Sequence, residues 1–257
     1  HDQFFETRIT YSSKTRKQMT KDDNKDGNTD TIIDYNAQGE RVKLSTDANE
    51  DQVMDTWQYY AKGRLARMEK DESGDGRVDL KVEYADGEKD RLLRDQDGDG
   101  HFETVQLYQI KDWDLVIEQD RDGNGRPEAR LMYTEGRLRQ KEIYDPQGEV
   151  QFIEYFDEQG ELCRSRERED QGLSLTWIYN TQGQAAQARR DKNLDGTPEV
   201  FFFYQNGTLR KVEEDSNNDG RVDVWETYDQ AEALVSRSRD LDFDGQPDLT
   251  KQAENVE

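Results

Sequence analysis

Short runs of alternating apolar and polar residues recur along the chain, separated by two kinds of polar break. In the run from Leu80 to Tyr84, residues Leu80, Val82 and Tyr84 fall on one side and Lys81 and Glu83 on the other. That two-residue period predicts a half-buried β-strand. Ala85-Asp86-Gly87 predicts a tight turn, because Asp-Gly supplies the left-handed backbone of a short hairpin. Glu88 to Arg94 predicts the returning strand. Phe4 to Tyr11 predicts a first strand with no loop before it, half a repeat, as expected of an array cut from a longer one.

The unit repeats at a fixed spacing, which is the signature of an array. An aspartate opens a similar segment at Asp22, Asp47, Asp71, Asp95, Asp120, Asp191, Asp215 and Asp240, and degenerate copies start near Asp145 and Asp170. Thirteen residues after the opening aspartate stands a tyrosine: Tyr35, Tyr60, Tyr84, Tyr108, Tyr133, Tyr204 or Tyr228. The fold class predicted is all-β, tandem antiparallel hairpins of roughly 24 residues in a meander, with long loops on one edge and tight turns on the other. A flat sheet of roughly 20 strands would be about 95 Å wide and twists by about 20° per strand. A coiled or closed meander is therefore expected, with a five-bladed propeller as the alternative. Residues 1–257 read as one array, with loop-bearing repeats over 1–144 and 191–257 and degenerate repeats over 145–190.

The loops carry the chemistry. Eight segments follow Asp-x-(Asp/Asn/Ser)-x-(Asp/Asn)-(Gly)-x-x-(Asp/Glu), with the glycine present in seven, numbered here as loop positions 1 to 9. Positions 1, 3, 5, 7 and 9 are Asp22, Asn24, Asp26, Asn28 and Asp30 in the first copy and Asp47, Asn49, Asp51, Val53 and Asp55 in the second. They are Asp71, Ser73, Asp75, Arg77 and Asp79, then Asp95, Asp97, Asp99, His101 and Glu103, then Asp120, Asp122, Asn124, Arg126 and Glu128. The last three copies give Asp191, Asn193, Asp195, Thr197 and Glu199, then Asp215, Asn217, Asp219, Arg221 and Asp223, then Asp240, Asp242, Asp244, Gln246 and Asp248.

A hard cation such as Ca²⁺ takes about six to eight oxygen ligands. Side chains at positions 1, 3 and 5 converge when the chain wraps an ion, and position 9 returns a carboxylate. Position 7 offers its backbone carbonyl, so its side chain is expected to be free to vary. Position 6 needs a backbone that glycine adopts readily, and Gln52 is the exception. Position 8 is mostly apolar or proline, as in Val78, Phe102, Pro127, Pro198, Val222 and Pro247, which fits a plug beneath the loop. In five copies position 12 holds Ile33, Val82, Gln106, Leu131 or Phe202 where an EF-hand needs glutamate, and the flanks read as strands, so an EF-hand is not expected. About seven or eight calcium ions are expected, weakest at Asp47.

These loops resemble the Asp-x-Asp-x-Asp-Gly-x-x-Asp loops of integrin α-subunit propellers and of thrombospondin type 3 repeats. That resemblance implies that Asp79 and its counterparts at position 9 complete the ion's shell. The stretches Asp34-Tyr35-Asn36-Ala37-Gln38-Gly39, Tyr155 to Leu162 and Tyr179-Asn180-Thr181-Gln182-Gly183 resemble the core of bacterial YD (RHS-type) repeats. That implies β-hairpins wound into large extracellular shells.

Composition narrows the rest. The formal charge is -23, with charged residues at 37% and apolar ones at 31%. Such values lean toward disorder, but aromatic residues reach 10% and recur in phase, which a disordered chain does not need. Eight divalent ions would bring the charge to -7 (-23 + 16). The acidic surface disfavours nucleic acid as a partner. One cysteine, Cys163, rules out an intrachain disulfide, and no apolar run is long enough to span a membrane. His1 is terminal and His101 sits at position 7, so neither reads as catalytic, and no nucleophile motif or phosphate loop is present. Trp57 and Trp225 share a repeat position and read as packing, and the second-strand cations Arg64, Arg67, Arg91, Arg94, Arg137 and Arg139 as partners of acids such as Glu83. The expectation is a non-enzymatic, calcium-stabilised scaffold or adhesion-type protein of the extracellular space or bacterial cell envelope, with a protein or glycan partner. A carbohydrate-binding or carbohydrate-cleaving domain is the alternative, and a calcium sensor ranks below both. Residues 145–190 should bind no calcium and rely on burial of Phe152, Ile153, Tyr155, Phe156, Leu173, Leu175, Trp177 and Ile178.

Overall fold

The computed structural model describes residues 6–12, 14–169 and 172–253; His1, Phe4 and the Asp170 end of the second degenerate copy lie outside them. Among the described residues there are 21 β-strands and no α-helix. The chain divides into two compact units at Pro127/Glu128.

The first unit holds β1 (Thr7–Ser12), β2 (Thr15–Lys21), β3 (Thr31–Tyr35), β4 (Arg41–Thr46), β5 (Thr56–Ala61), β6 (Arg64–Lys70), β7 (Leu80–Ala85), β8 (Glu88–Arg94), β9 (Thr104–Ile110) and β10 (Trp113–Gln119). Each pairs antiparallel with its neighbour in sequence. The second unit repeats this from β11 (Ala129–Thr134) through β12 (Arg137–Tyr144), β13 (Val150–Phe156), β14 (Leu162–Glu169), β15 (Gly172–Tyr179), β16 (Ala185–Arg190), β17 (Val200–Gln205), β18 (Thr208–Glu214), β19 (Val224–Tyr228) and β20 (Leu234–Arg239) to β21 (Leu249–Gln252). The ladder is unbroken between one hairpin and the next, as at β4–β5 and β6–β7, so no blade boundary exists and the propeller gives way to an open meander in each unit.

The alternation read from the sequence sets the buried side. Leu80 and Val82 are buried while Lys81 and Glu83 are half-exposed. Met19, Ile33, Leu44, Met68, Val82, Leu92 and Ile117 lie in one cross-strand row of the first unit. Gln58 and Gln106 interrupt that row because each accepts a hydrogen bond from the repeat tyrosine two residues on, Tyr60 at 2.5 Å and Tyr108 at 3.0 Å. Tyr228 donates likewise to Glu226 at 2.6 Å; burial and that carboxylate push its pKa up to about 12. Each half-buried ring thus keeps a partner for its hydroxyl.

The register shifts at Tyr35, Tyr60 and Tyr84 in the first unit and at Tyr133, Tyr204 and Tyr228 in the second, a β-bulge that raises local twist just before the turn. Two turn types follow. At Asp86-Gly87 both residues have positive φ, 50° and 95°, the type I′ hairpin that Asp-Gly favours. At Asn36, Asp145, Asp157, Asn180 and Asp229 the side chain caps a four-residue turn, taking two backbone N–H groups onto its own oxygen. Asp145 therefore opens a complete turn of the kind found on the opposite edge, and a degenerate metal loop is not what stands there.

Candidate metal-binding loops

Six loops are pinched at the base by a backbone bond from position 9 to the residue before position 1, such as Asp79 to Lys70 at 2.9 Å. Inside all eight, the position 1 aspartate takes the position 6 N–H at 2.6–2.9 Å. The position 5 side chain takes the position 7 N–H at 2.7–2.9 Å. Position 3 takes the N–H of position 5. The position 9 acid reaches back to position 2, as Glu103 does to Gln96 at 2.8 Å and Glu199 to Lys192 at 2.6 Å. Positions 1, 3, 5 and 9 thus bond back to the loop's own backbone in every copy where these bonds occur.

The acids at the ends of the loops are the main buried polar groups. Asp22, Asp30, Asp47, Asp55, Asp71, Asp79, Asp95, Glu199, Asp215, Asp223 and Asp240 are all under a tenth exposed. Hydrogen bonds satisfy only part of each carboxylate. Asp79 Oδ1, Glu103 Oε1 and Asp191 Oδ1 are buried with no donor. A buried anionic oxygen without a donor is costly unless a cation meets it. Four groups supply such a meeting point within the units: Asp95, Asp97, Asp99 and Glu103; Asp71, Asp75 and Asp79; Asp191, Asp195 and Glu199; Asp240, Asp242 and Asp248. Within each group, one ligand oxygen per residue lies within 4.8 Å of the others. The acids of the loops at Asp22, Asp47 and Asp215 do not gather into such a group. The loop from Asp120 passes from one unit to the next, and Asp120 and Asp122 hold the common geometry in its first-unit part.

Charge in these loops is finely balanced. Burial pushes the Asp71 carboxyl up, but N–H donors of Gly76, Gly74 and Asp75 and the Ser73 hydroxyl hold it below the ordinary aspartate value. At Asp242 the N–H of Asp244 pulls the pKa down, yet repulsion from Asp248, Asp244 and Asp240 raises it overall. The donor set is oxygen throughout, which fits a hard divalent cation and not a metal that seeks nitrogen or sulfur.

Two features escaped the sequence. Position 4 is left-handed in every loop, at Lys25, Glu50, Gly74, Gly98, Gly123, Leu194, Asn218 and Phe243; glycine in three copies and asparagine in one were the available signal. Position 7 was expected to vary freely, but Arg77 and His101 reach the next loop: Arg77 Nη1 donates to Gly98 O at 3.0 Å, and His101 Nε2 lies 3.1 Å from Asp120 O. Position 8 is half-buried at Val78, Phe102, Pro127, Pro198 and Val222, but Pro247 is exposed and plugs nothing. Elsewhere, Glu83 pairs with Lys81 at 2.8 Å, and Cys163 is half-buried with its thiol on the Tyr155 carbonyl.

The second loop carries a local defect. Gln52 holds φ at 77° where the other seven copies have glycine. A side chain there costs about 1–2 kcal/mol. Gln52→Gly is therefore expected to stabilise the protein by about 1 kcal/mol, less the entropy glycine adds to the unfolded chain. Urea unfolding measures it, and a destabilised variant would contradict the strain assigned to this position.

Fold and loops together define a class: an all-β hairpin-repeat protein with acidic, oxygen-only clusters along a sheet edge. No family model and no curated protein matches the chain. Solved structures give slight likenesses. The accessory secretory proteins 1, 2 and 3 of Streptococcus pneumoniae match at 15% identity over 43% of this chain and 20% of that one, with a TM-score of 0.30. TarM matches at 16% identity, 48% and 19% coverage and a TM-score of 0.21. The TcdB2–TccC3 structure matches at 12% identity, 96% and 14% coverage and a TM-score of 0.24. The chain spans a fifth or less of each of these proteins, and at such TM-scores the likeness does not amount to a shared overall fold.

Proposed function

We propose that this chain is a calcium-stapled β-hairpin scaffold, working outside the cytosol as a surface or adhesion-type binding protein and not as an enzyme. The observation that carries the reading is the set of buried carboxylate oxygens without donors, at Asp79, Glu103 and Asp191, inside clusters that recur in phase. Side chains at positions 1, 3, 5 and 9 and the position 7 carbonyl would hold each ion. The ions would neutralise the clusters and fix each long loop to its strands. A carbohydrate-binding reading gains less support, because the chain's own cations cover several aromatic faces: Arg41 lies 4.0 Å from the Tyr60 ring centre and Arg67 4.1 Å from that of Tyr59.

Seven or eight calcium ions per chain are expected after dialysis against calcium-containing buffer, with the Asp47 loop the first to empty on dilution. Elemental analysis measures the ratio. Two ions or fewer would overturn the proposal.

A further inference from the structure

We infer that the loops opening at Asp71 and Asp95 load calcium as a linked pair, with Arg77 as the positioning residue that carries the link. This rests on the calcium reading above. Arg77 is position 7 of the first loop, the residue whose carbonyl would face the ion. Its guanidinium donates to the carbonyl of Gly98, position 4 of the next loop, at 3.0 Å. Gly98 is left-handed, φ 77°, and its own N–H is held by Asp95 Oδ1 at 2.7 Å. The direction of the Gly98 carbonyl is therefore set by the fold of the second loop. Two further ties join the loops: the Asp95 N–H donates to Asp79 O at 2.9 Å, and Arg94 pairs with Glu72 at 2.7 Å.

Both loops show a demand for a cation beyond their acidity. Asp79 is 5% exposed with Oδ1 lacking any donor, and Glu103 Oε1 is buried in the same state. Their strengths differ: the Asp95 loop gathers four carboxylates and the Asp71 loop three. The Asp95 loop therefore fills first. Once an ion orders it, Gly98 is fixed and Arg77 is anchored by its side chain. The Asp71 loop then loses less entropy on binding, which is positive cooperativity without any rearrangement. Linkage requires the reverse influence to be equal. The device recurs where His101 meets Asp120 O. It is missing one loop earlier, since Val53 at position 7 has no donor to offer.

The test follows the amide signals of Gly27, Gly76 and Gly100 in the full-length protein, labelled with ¹⁵N-glycine, during titration with calcium chloride. Each reports its own loop through the position 6 bond. Asp97→Asn weakens the Asp95 loop. It should move the Gly100 midpoint to higher calcium and carry the Gly76 midpoint with it, by about fivefold, while Gly27 stays unmoved. In the Arg77→Ala background, Asp97→Asn should still move Gly100 but shift Gly76 much less, the remainder passing through the two other ties. Arg77→Met keeps the length of the side chain but has neither its N–H donors nor its charge, and it should behave like alanine, which separates the link from loss of packing. An Asp97→Asn shift at Gly76 that is equal with and without Arg77 overturns the link while leaving calcium binding intact. No titration of any glycine in the unsubstituted protein overturns the calcium reading itself.

Discussion

Chelation of divalent cations is expected to lower the melting temperature by tens of degrees and to unfold most of the loop-bearing repeats. The reasoning starts from how little holds them otherwise. Among the described residues of the first unit, the buried apolar side chains are Ile33, Leu80, Val82 and Val116. Against them stand loops that gather three carboxylates at Asp71 and four at Asp95, with ligand oxygens within 4.8 Å of one another. Nine-residue loops that do not use the bidentate glutamate of an EF-hand should have dissociation constants of about 0.1 to 1 mM, the range of extracellular modules; Glu226, twelfth from Asp215, is engaged instead by the Tyr228 hydroxyl and Arg237. At about 1 mM free calcium and a dissociation constant of about 0.1 mM, each ion stabilises by roughly 1.4 kcal/mol. Eight such ions contribute about 11 kcal/mol, comparable with a whole domain's stability of about 5–15 kcal/mol. In cytosol, with free calcium far below that dissociation constant, this contribution nearly vanishes. Magnesium should replace calcium poorly, because it demands octahedral geometry and gives up water reluctantly. Calorimetric melts in calcium, in magnesium and in chelator measure the differences. Coincident curves in calcium and chelator would mean that the loops hold the sheet without ions.

Acid should act in the same direction as chelation. The folded pKa of Asp71 lies below its unfolded value, so its stabilising contribution is complete above the unfolded aspartate pKa and is lost as pH falls through the folded one. Asp242 has the opposite sign: protonation relieves its repulsion in the metal-free state. Acid sensitivity should therefore be pronounced with calcium present, where protons compete for every ligand, and shallower without it.

Much of this arrangement was legible because its physics is local. The strand period of Leu80 to Tyr84, the Asp-Gly turn and the spacing of Asp71, Asp75 and Asp79 each depend on residues close in sequence. Harder to see were features in which one side chain serves a distant backbone. Arg77 reads as an arbitrary position 7 residue until Gly98 of the next loop stands 3.0 Å away. Gln58 and Gln106 look like breaks in an apolar face until the hydroxyls of Tyr60 and Tyr108 bond to them. The left-handed position 4 was hidden because Lys25, Leu194 and Phe243 adopt it against their own preference, held by the aspartate at position 1 in two of those copies. Asp145 misled for the converse reason: the opening residue matches the metal loops, and the glycine three residues on belongs to the other turn type.

The stretch from Asp145 to Arg190 should behave differently from its flanks when calcium is removed. Its turns at Asp145, Asp157 and Asn180 are complete without an ion. Asp145 takes the N–H groups of Gln147 and Glu149 at 2.9 and 2.8 Å, and Gln151 Nε2 at 2.9 Å; the Glu149 N–H is the chief reason its carboxyl stays below the ordinary value. Between the turns, Ile153, Leu175 and Ala188 are buried, and Ser165 is fully enclosed with its hydroxyl 3.0 Å from that of Tyr179. Arginines tie strand to strand: Arg168 donates to Val150 O and pairs with Glu149, both at 2.9 Å; Arg166 donates to Leu173 O at 2.9 Å; Arg190 meets Glu169 at 2.6 Å. None of these contacts depends on a metal. Local opening costs least where backbone hydrogen bonds have lost their support. After chelation, amide protons of β13 to β15 should therefore keep their hydrogen-exchange protection longest, while β7 to β9 in the first unit and β18 to β19 in the second exchange early. Mass spectrometry of deuterium uptake, with and without chelator, resolves these peptides. If β13 to β15 lost protection before the strands flanking Asp95 or Asp215, burial and ion pairing would not be what replaces calcium in this segment.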